Sequence, residues 1–392
     1  MINKLRTISL LPSPSKILEK LVLKTLWRDL EPFIGQTQHA YRKQASTTTA
    51  LIHIMDIITT IFDNPSFTGF GMVNLDFSKA FDKVHHPTLL SKLSKGNLPN
   101  GFLSWLSNYL TGRTFRVRIQ GILSATHKLD RRVPQGSVLG PALFSTLVGD
   151  LPCNQDYIHL VQYADDASFV MPFTSREPEF IKQKISKLLS QVEKWCNDNK
   201  QSLNLEKSAL MLNLRSSLEV NGLPIPNVDS QKTLGVTLNS RITWDDHIAT
   251  IYKKACQRLH ILRVLRMHVS ADELHLVYQA AIRSLFDYSC QVFVALPKKL
   301  TNRIRQLEKR AHVIIYGDEF QCDCALDGLE NRRKRMSLKL FKDIFNNEEH
   351  LLHDRLPKAS HRSTRMLHFP SRTNKRLHSF FPHTTILYNQ SL

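Results

Sequence analysis

Apolar and polar positions change period several times along the chain, and those changes predict its elements. Between residues 9 and 30, Leu10, Leu11, Ile17, Leu18, Leu21, Val22 and Leu26 fall close to helical spacing. A second helix is predicted over 46–63 with Ser46 or Thr47 as N-cap, since a hydroxyl there accepts an unpaired N–H of the first turn. The run GFGMVNLDF at 69–77 is short, apolar and punctuated by glycine, as a buried strand is. Two more strand-like runs, 160–162 and 167–171, flank Tyr163-Ala164-Asp165-Asp166, a hairpin with two carboxylates at its turn. Residues 177–200 have a helical period and 203–214 return to alternation.

From about residue 241 the pattern becomes long and amphipathic, at 245–268, 271–287 and 298–316, with many Lys and Arg on the polar positions. That is a basic, all-helical region. Residues 355–376 carry seven basic side chains and no acidic one, which predicts a mobile tail or cationic arm. The 392 residues hold 53 Lys+Arg against 34 Asp+Glu, a formal excess of +19. An excess of that size points to a polyanionic partner, nucleic acid first and an anionic membrane surface second. Apolar residues at 42% and charged residues at 22% exclude collagen-like, mucin-like and wholly disordered chains, and six Cys exclude a disulfide scaffold. No apolar run approaches a membrane span and the first 20 residues lack a signal-peptide core, so an intracellular place, nucleus or cytoplasm, with reduced thiols is expected.

Three acids stand out. Asp76 ends an apolar strand, while Asp165 and Asp166 occupy a hairpin turn. A carboxylate beside an apolar core is costly unless a cation neutralises it. If neighbouring strands bring Asp76 and Asp165 together, the pair wants a divalent ion, and hard oxygen ligands with open positions favour Mg²⁺. Each acid alone also has a plain structural reading: Asp76 as a helix N-cap, the Asp-Asp pair as an ordinary turn.

In combination these strings resemble the reverse transcriptases of non-LTR (LINE-type) retrotransposons, most closely the jockey-like elements. RTISLLPSPSKILEKLV (6–22) and QHAYRKQASTTTAL (38–51) are similar to the fingers motifs, and VNLDFSKAFDKVHH (73–86), VPQGSVLGPALF (133–144) and QYADDASF (162–169) to the first three palm motifs. SLNLEKS (202–208) is similar to the fourth, TLGVTL (233–238) to the primer-grip strand, and WDDHI (244–248) opens a thumb-like region. The resemblance spans about residues 3–345. It implies an α/β right-hand polymerase with an α+β palm: fingers over 1–70, palm with part of the fingers over 71–240, a helical thumb over 241–345 and a basic tail over 346–392. It further implies RNA-directed DNA polymerisation from dNTPs on an RNA template and a DNA primer, with two Mg²⁺ ions and no membrane partner.

Residue by residue, the resemblance makes Asp76 and Asp165 metal ligands, Asp166 a supporting acid and the Phe77 carbonyl an extra ligand. Phe81 stands where a bulky aromatic would crowd a ribose 2′-hydroxyl, although core packing alone would also explain it. Gln135 and Gly136 would face the template–nucleotide pair, the glycine admitting close backbone approach. Lys207 would assist the leaving pyrophosphate, and Arg42, with Arg6 and Lys16, would neutralise the triphosphate. A small residue at 81 would be expected instead in an RNA-dependent RNA polymerase.

Several positions depart from the family pattern: Thr7 for Pro, Arg132 for Gly, Gly149 for Asn, and the loop after Arg42. An Arg at 132 would be strained if the position needs φ > 0. The chain is expected to begin inside the fingers, without the upstream endonuclease of complete relatives. A catalytically impaired nucleic-acid-binding remnant is therefore the second reading. Asn331-Arg332-Arg333-Lys334-Arg335 fits a nucleic-acid contact, a nuclear address or a solvated cluster. Cys322 and Cys324 meet no standard zinc spacing.

Overall fold

The structure, a computed structural model, describes residues 8–129, 131–153, 157–214, 223–317, 328–358 and 365–391. Helix α1 (Ser13–Ile34) follows Pro12, with Pro14 in its first turn, where a missing N–H is tolerated. Its buried side is Glu19, Leu26, Leu30 and Ile34. Of the expected apolar stripe, Leu10, Ile17, Leu18 and Leu21 are exposed, Leu11 and Val22 are half-buried and Leu26 is buried. Helix α2 (Thr47–Asp63) matches expectation down to its cap: the Ser46 hydroxyl accepts from the Thr49 N–H and the Thr49 hydroxyl accepts from the Ser46 N–H.

Strand β1 (Gly69–Leu75) leads through α3 (His86–Leu93) and α4 (Asn100–Leu110) to an arm of two-residue strands. These are β2 (Thr114–Phe115), β3 (Arg118–Ile119), β4 (Ile122–Leu123) and β5 (His127–Lys128). Helix α5 (Leu139–Val148), the hairpin β6 (His159–Tyr163) and β7 (Asp166–Phe173), helix α6 (Pro178–Asp198) and strand β8 (Ala209–Leu214) follow. Strands β9 (Ser230–Thr233) and β10 (Val236–Asn239) pair with each other.

The main sheet runs β6-β7-β1-β8, antiparallel throughout. Successive β1 side chains point to opposite faces. Phe70 and Met72 join a core with α2 and the C-terminal helices, whereas Val73 and Leu75 join one with α1 and α3 to α6. Both faces are covered, which is why β1 reads as a continuous apolar run rather than an alternation. Gly71 permits the tight strand packing: a Cβ there would meet the Phe173 ring at 2.9 Å. Residues 37–39 run parallel to β6 and close that edge, with the His39 N–H donating to the Gln162 carbonyl (2.9 Å) and the Gln162 N–H to that of Thr37 (2.8 Å).

Helices α7 (Asp245–Leu265), α8 (Ala271–Tyr278), α9 (Ser284–Asp287), α10 (Lys298–Tyr316) and α11 (Leu329–Phe345) form the basic helical region. The helix expected over 271–287 is interrupted by a π turn at Gln279–Arg283. The chain then corrects the expectation of a mobile arm. Short helix α12 (Asn374–Leu377) and α13 (Phe380–Ser391) fold back on α2 and α11, burying Met366, Phe380 and Phe381. The cationic stretch is anchored by acids far away in sequence. Asp56 on α2 receives both Arg355 and Arg376, and the Asp63 carboxylate accepts from the N–H groups of Arg372 and Thr373. Among the described residues no helix is long and apolar enough to cross a membrane.

Candidate active site

Asp76 leaves the end of β1 with its backbone already committed. Its N–H donates to the Ser208 hydroxyl (3.2 Å), its carbonyl accepts from the Asn204 N–H (2.8 Å), and the Ser78 N–H donates to the Ser202 carbonyl (2.8 Å). The 202–208 segment thus clamps the residues on either side of Phe77. Backbone groups alternate along a strand, so the Phe77 carbonyl faces the opposite side, that of β7. On that side the β6–β7 hairpin turns through only Ala164 and Asp165, Tyr163 and Asp166 being its last pair.

The two strand ends meet in one cleft of about 940 Å³. Asp76, Phe77, Phe81, Gln135, Gly136, Asp165 and Lys207 all line it. Lys207 places its Nζ 3.8 Å from the Asp76 carboxylate and is two-thirds exposed, so it can swing without leaving a buried partner unpaired. Phe81 lines the cleft and also stacks on Phe144 at 4.4 Å, so packing and exposure to the site are both true of it.

Other expected residues lie elsewhere. Asp166 is exposed and is not part of the cleft wall. Arg42 is turned away: its guanidinium donates to the Gly35 carbonyl at the end of α1 (2.8 Å) and pairs with Glu31 (3.4 Å). Tyr41, not singled out from sequence, faces the cleft instead, and burial together with the nearby Asp165 and Tyr163 pushes its hydroxyl pKa upward. Lys16 sits in the first turn of α1 outside the cleft wall, and Arg6 lies outside the described residues. At Gly136 (φ 108°) a Cβ would come within 2.9 Å of the Ser9 carbonyl oxygen, and the Ser9 N–H donates to the Gln135 carbonyl (2.7 Å). The close approach expected of a nucleotide is made here by the chain's own residues 8–9.

Arg132 does adopt φ 82°. Several contacts hold it there: its N–H donates to the Val84 carbonyl, its carbonyl accepts from His86 Nε2, and its guanidinium pairs with Asp82 at 3.3 Å. Gly149 has a local cause, because a Cβ there would overlap the Phe33 carbonyl at the end of α1. Two further residues escaped the sequence reading. Buried Glu19 caps α5, accepting from the N–H groups of Val138 (2.6 Å) and Leu139 (3.2 Å). Buried Gln38 reaches the Asp165 turn, accepting from the Ala164 N–H. Neither carries a local signature, since each acts on a partner more than 100 residues away.

The run at 331–335 is partly internal. Arg332 makes a two-pronged contact with Asp287, and buried Arg333 donates to the Val294 carbonyl. Cys322 and Cys324 lie outside the described residues.

Two carboxylates and a backbone carbonyl are hard oxygen donors, suited to a hard divalent cation that keeps open positions for phosphate or water. No cluster of three or more His, Cys, Asp or Glu side chains that could hold a metal occurs among the described residues. A cation in this cleft would therefore draw on Asp76, Asp165, carbonyl oxygen and substrate.

Several known proteins are similar to this chain. The "Probable RNA-directed DNA polymerase from transposon BS" of Drosophila melanogaster is 29% identical over 326 residues, covering 78% of this chain and 35% of that protein. The "RNA-directed DNA polymerase from mobile element jockey" of the same organism is 28% identical, covering 79% and 35%. The X-element polymerase is 27% identical over 390 residues, covering 95% and 42%. The chain thus spans about two fifths or less of the length of these relatives. Among solved structures, telomerase from Candida albicans, in complex with a telomeric RNA fragment, aligns at 15% identity and a TM-score of 0.41, covering 84% of this chain and 56% of that one. The family model described as "Reverse transcriptase (RNA-dependent DNA polymerase)" matches residues 2–238, more than half of the sequence, and the chain belongs to that family.

Proposed function

We propose that this chain is the RNA-directed DNA polymerase of a jockey-like non-LTR retrotransposon, adding nucleotides from dNTPs to a DNA primer on an RNA template. One observation supports it above the others: Asp76 and Asp165, 89 residues apart, line one cleft beside Lys207. Reverse transcriptases use divalent metal ions. We take these to be two Mg²⁺, with Asp76, Asp165 and the Phe77 carbonyl as the chain's ligands. Such ions, when bound, lower the pKa of the primer 3′-hydroxyl and neutralise charge on the triphosphate.

The chain's own residues do the rest. Asp76, its backbone held by hydrogen bonds, and Asp165, on the two-residue turn, set where the reacting phosphate sits, so positioning carries much of the rate. The primer oxygen attacks the α-phosphorus in line, and its new P–O bond forms as the bond to pyrophosphate breaks. The Lys207 ammonium moves from Asp76 to the departing pyrophosphate and supplies charge or a proton there. Phe81, braced by Phe144, occupies the space a ribose 2′-hydroxyl would need and selects dNTP over rNTP. Gln135 orients the incoming nucleotide, and Asp166 supports the turn. Tyr41, rather than Arg42, faces the triphosphate space.

The test is primer extension by the purified chain on a DNA-primed RNA template with dNTPs and Mg²⁺. Extension is expected, and Asp165→Ala or Asp76→Ala should lower it by about 10³-fold, several kcal/mol of lost charge neutralisation. Extension indifferent to Asp165→Ala refutes the assigned site. Salt-sensitive hybrid binding with no extension by the unaltered chain would leave the binding-remnant reading in its place.

A further inference from the structure

We infer that Gln38 is the positioning residue of the Asp165 turn, holding it in a conformation its own sequence disfavours. The catalytic consequence depends on the polymerase activity proposed above; the positioning does not.

The turn is two residues long, and its first residue, Ala164, has φ 57°. A Cβ is unwelcome in that left-handed region, and a residue stays there only when its surroundings over-determine it. Gln38 supplies the determination with a single carboxamide. Its Oε1 accepts from the Ala164 N–H at 2.8 Å, and its Nε2 donates to the Ala164 carbonyl at 3.2 Å. One side chain thus satisfies both backbone polar groups of the strained residue. The same Oε1 also accepts from the Ala40 N–H at 3.0 Å. Two N–H donors converge on that atom, so it must be the oxygen, and the amide has only one orientation. Gln38 is 0% exposed, and its backbone is held against Gln162 at the sheet edge. Water cannot easily replace its bonds. Asp165 follows Ala164 directly, so any change in the Ala164 torsions swings the Asp165 carboxylate relative to Asp76 across the cleft.

Three variants of the full chain separate this role from mere packing. Gln38→Leu removes all three bonds at similar size. Gln38→Glu keeps the oxygen that accepts from the Ala164 and Ala40 N–H groups, but when ionised it sets a carboxylate oxygen against the Ala164 carbonyl; protonated, it can donate there. Gln38→Leu with Ala164→Gly removes the amide together with the Cβ that made it necessary.

Hydrogen–deuterium exchange over 160–168 and primer extension across pH 6–8 read the outcome. For Gln38→Leu, exchange in the turn should speed by about 10-fold, with 69–75 and 209–213 unchanged. Its kcat should fall by 10–100-fold, the order a ~1 Å misplacement of a reacting group costs, with KM for dNTP nearly constant. The double variant should recover most of that loss, and Gln38→Glu should regain activity, relative to the unaltered chain, as pH falls. Unchanged turn exchange in Gln38→Leu overturns the inference. So does failure of both the glycine rescue and the acid rescue in a chain that extends primers. A chain that extends nothing ends the polymerase reading, while its exchange data still decide for or against Gln38.

Discussion

Asp56→Asn removes one charge from the join between α2 and the C-terminal segment. The Asp56 side chain is 6% exposed and carries two guanidinium groups, Arg355 at 2.9 Å and Arg376 on its other oxygen. The Arg376 side chain is 10% exposed and also donates to the Thr59 hydroxyl and the Asp56 carbonyl, so it cannot turn out to water without unpacking α12. The Arg355 side chain is 33% exposed and can rehydrate. Breaking a buried ion pair from one side costs about 3–5 kcal/mol because the remaining charge is stranded, whereas an exposed pair is worth about 0–1. The expected loss for Asp56→Asn is therefore about 3 kcal/mol, nearly all from Arg376, and that for Arg355→Ala is about 1 or less. Unfolding entropy of ~2.1 cal/mol/K per residue, over 392 residues, gives ~0.8 kcal/mol/K, so Asp56→Asn should lower Tm by about 4 °C if the chain melts as one unit. Urea unfolding at 25 °C followed by circular dichroism measures the free-energy change directly. A loss below 0.5 kcal/mol, or an equal loss in Arg355→Ala, would show that the segment is not anchored by burial of Arg376.

Three other outcomes are expected. Lys207→Ala should slow extension by about 10²-fold while primer–template affinity holds; an effect confined to affinity would make Lys207 a binding residue. Arg132→Gly and Arg132→Ala both lose the Asp82 pairing, so their difference isolates the φ of 82°; the glycine variant should be more stable by about 1 kcal/mol, and equal stability would refute backbone strain at that position. Burial, aided by nearby cationic or ionisable groups, lowers the pKa of His39 to about 3 and of His247 to about 4, and holds that of His53 well below the usual histidine value. The unfolded chain takes up these protons near pH 6.5 and the folded chain does not. Stability should therefore be full above pH 6.5 and fall below it, by about 1.4 kcal/mol per pH unit for each such histidine, until the folded pKa is reached. Melting temperatures that stay flat from pH 7.5 to 5 would contradict the buried neutral histidines.

What could be read from the sequence was what acts locally. The α2 cap and the pairing of β6 with β7 each depend on residues within a few positions of one another, so spacing sufficed; the conformation of the Asp165 turn, held by Gln38, was not legible. Even the departure at Arg132 was legible, because a positive φ is a property of one residue. Helix α1 was read only partly right: Leu26 is buried and Val22 half-buried, but Ile17, Leu18 and Leu21 are exposed, while Glu19 is buried because it caps α5. In the second fingers motif Tyr41 turns toward the cleft and Arg42 away, a distinction set by the φ of 63° at Tyr41 and the Gly35 carbonyl waiting for Arg42. The tail misled for a related reason. Local composition shows a run of cations, but the acids that neutralise it stand about 300 residues earlier, on a helix already legible as core.

That internal use of arginine bears on where a polyanion can dock. Arg42, Arg132, Arg332, Arg333, Arg355 and Arg376 are all engaged inside the fold, against the four acids Glu31, Asp82, Asp287 and Asp56 and against backbone carbonyls. The planar guanidinium fork suits such desolvated, directional bonds better than an ammonium does. With these six arginines and four acids set aside, the remaining side chains still hold 47 Lys+Arg against 30 Asp+Glu, a formal excess of +17. Folding therefore changes which residues carry the positive field, not its strength. The runs most conspicuous in the sequence, Arg332-Arg333 and the 355–376 stretch, are partly withdrawn. Helix α10 keeps an apolar buried side, Leu300, Ile304 and Leu307, and turns Lys298, Lys299, Lys309 and Arg310 outward. A phosphate backbone drawn to that face would meet mostly mobile point charges, which give salt-sensitive attraction and no reading of base sequence.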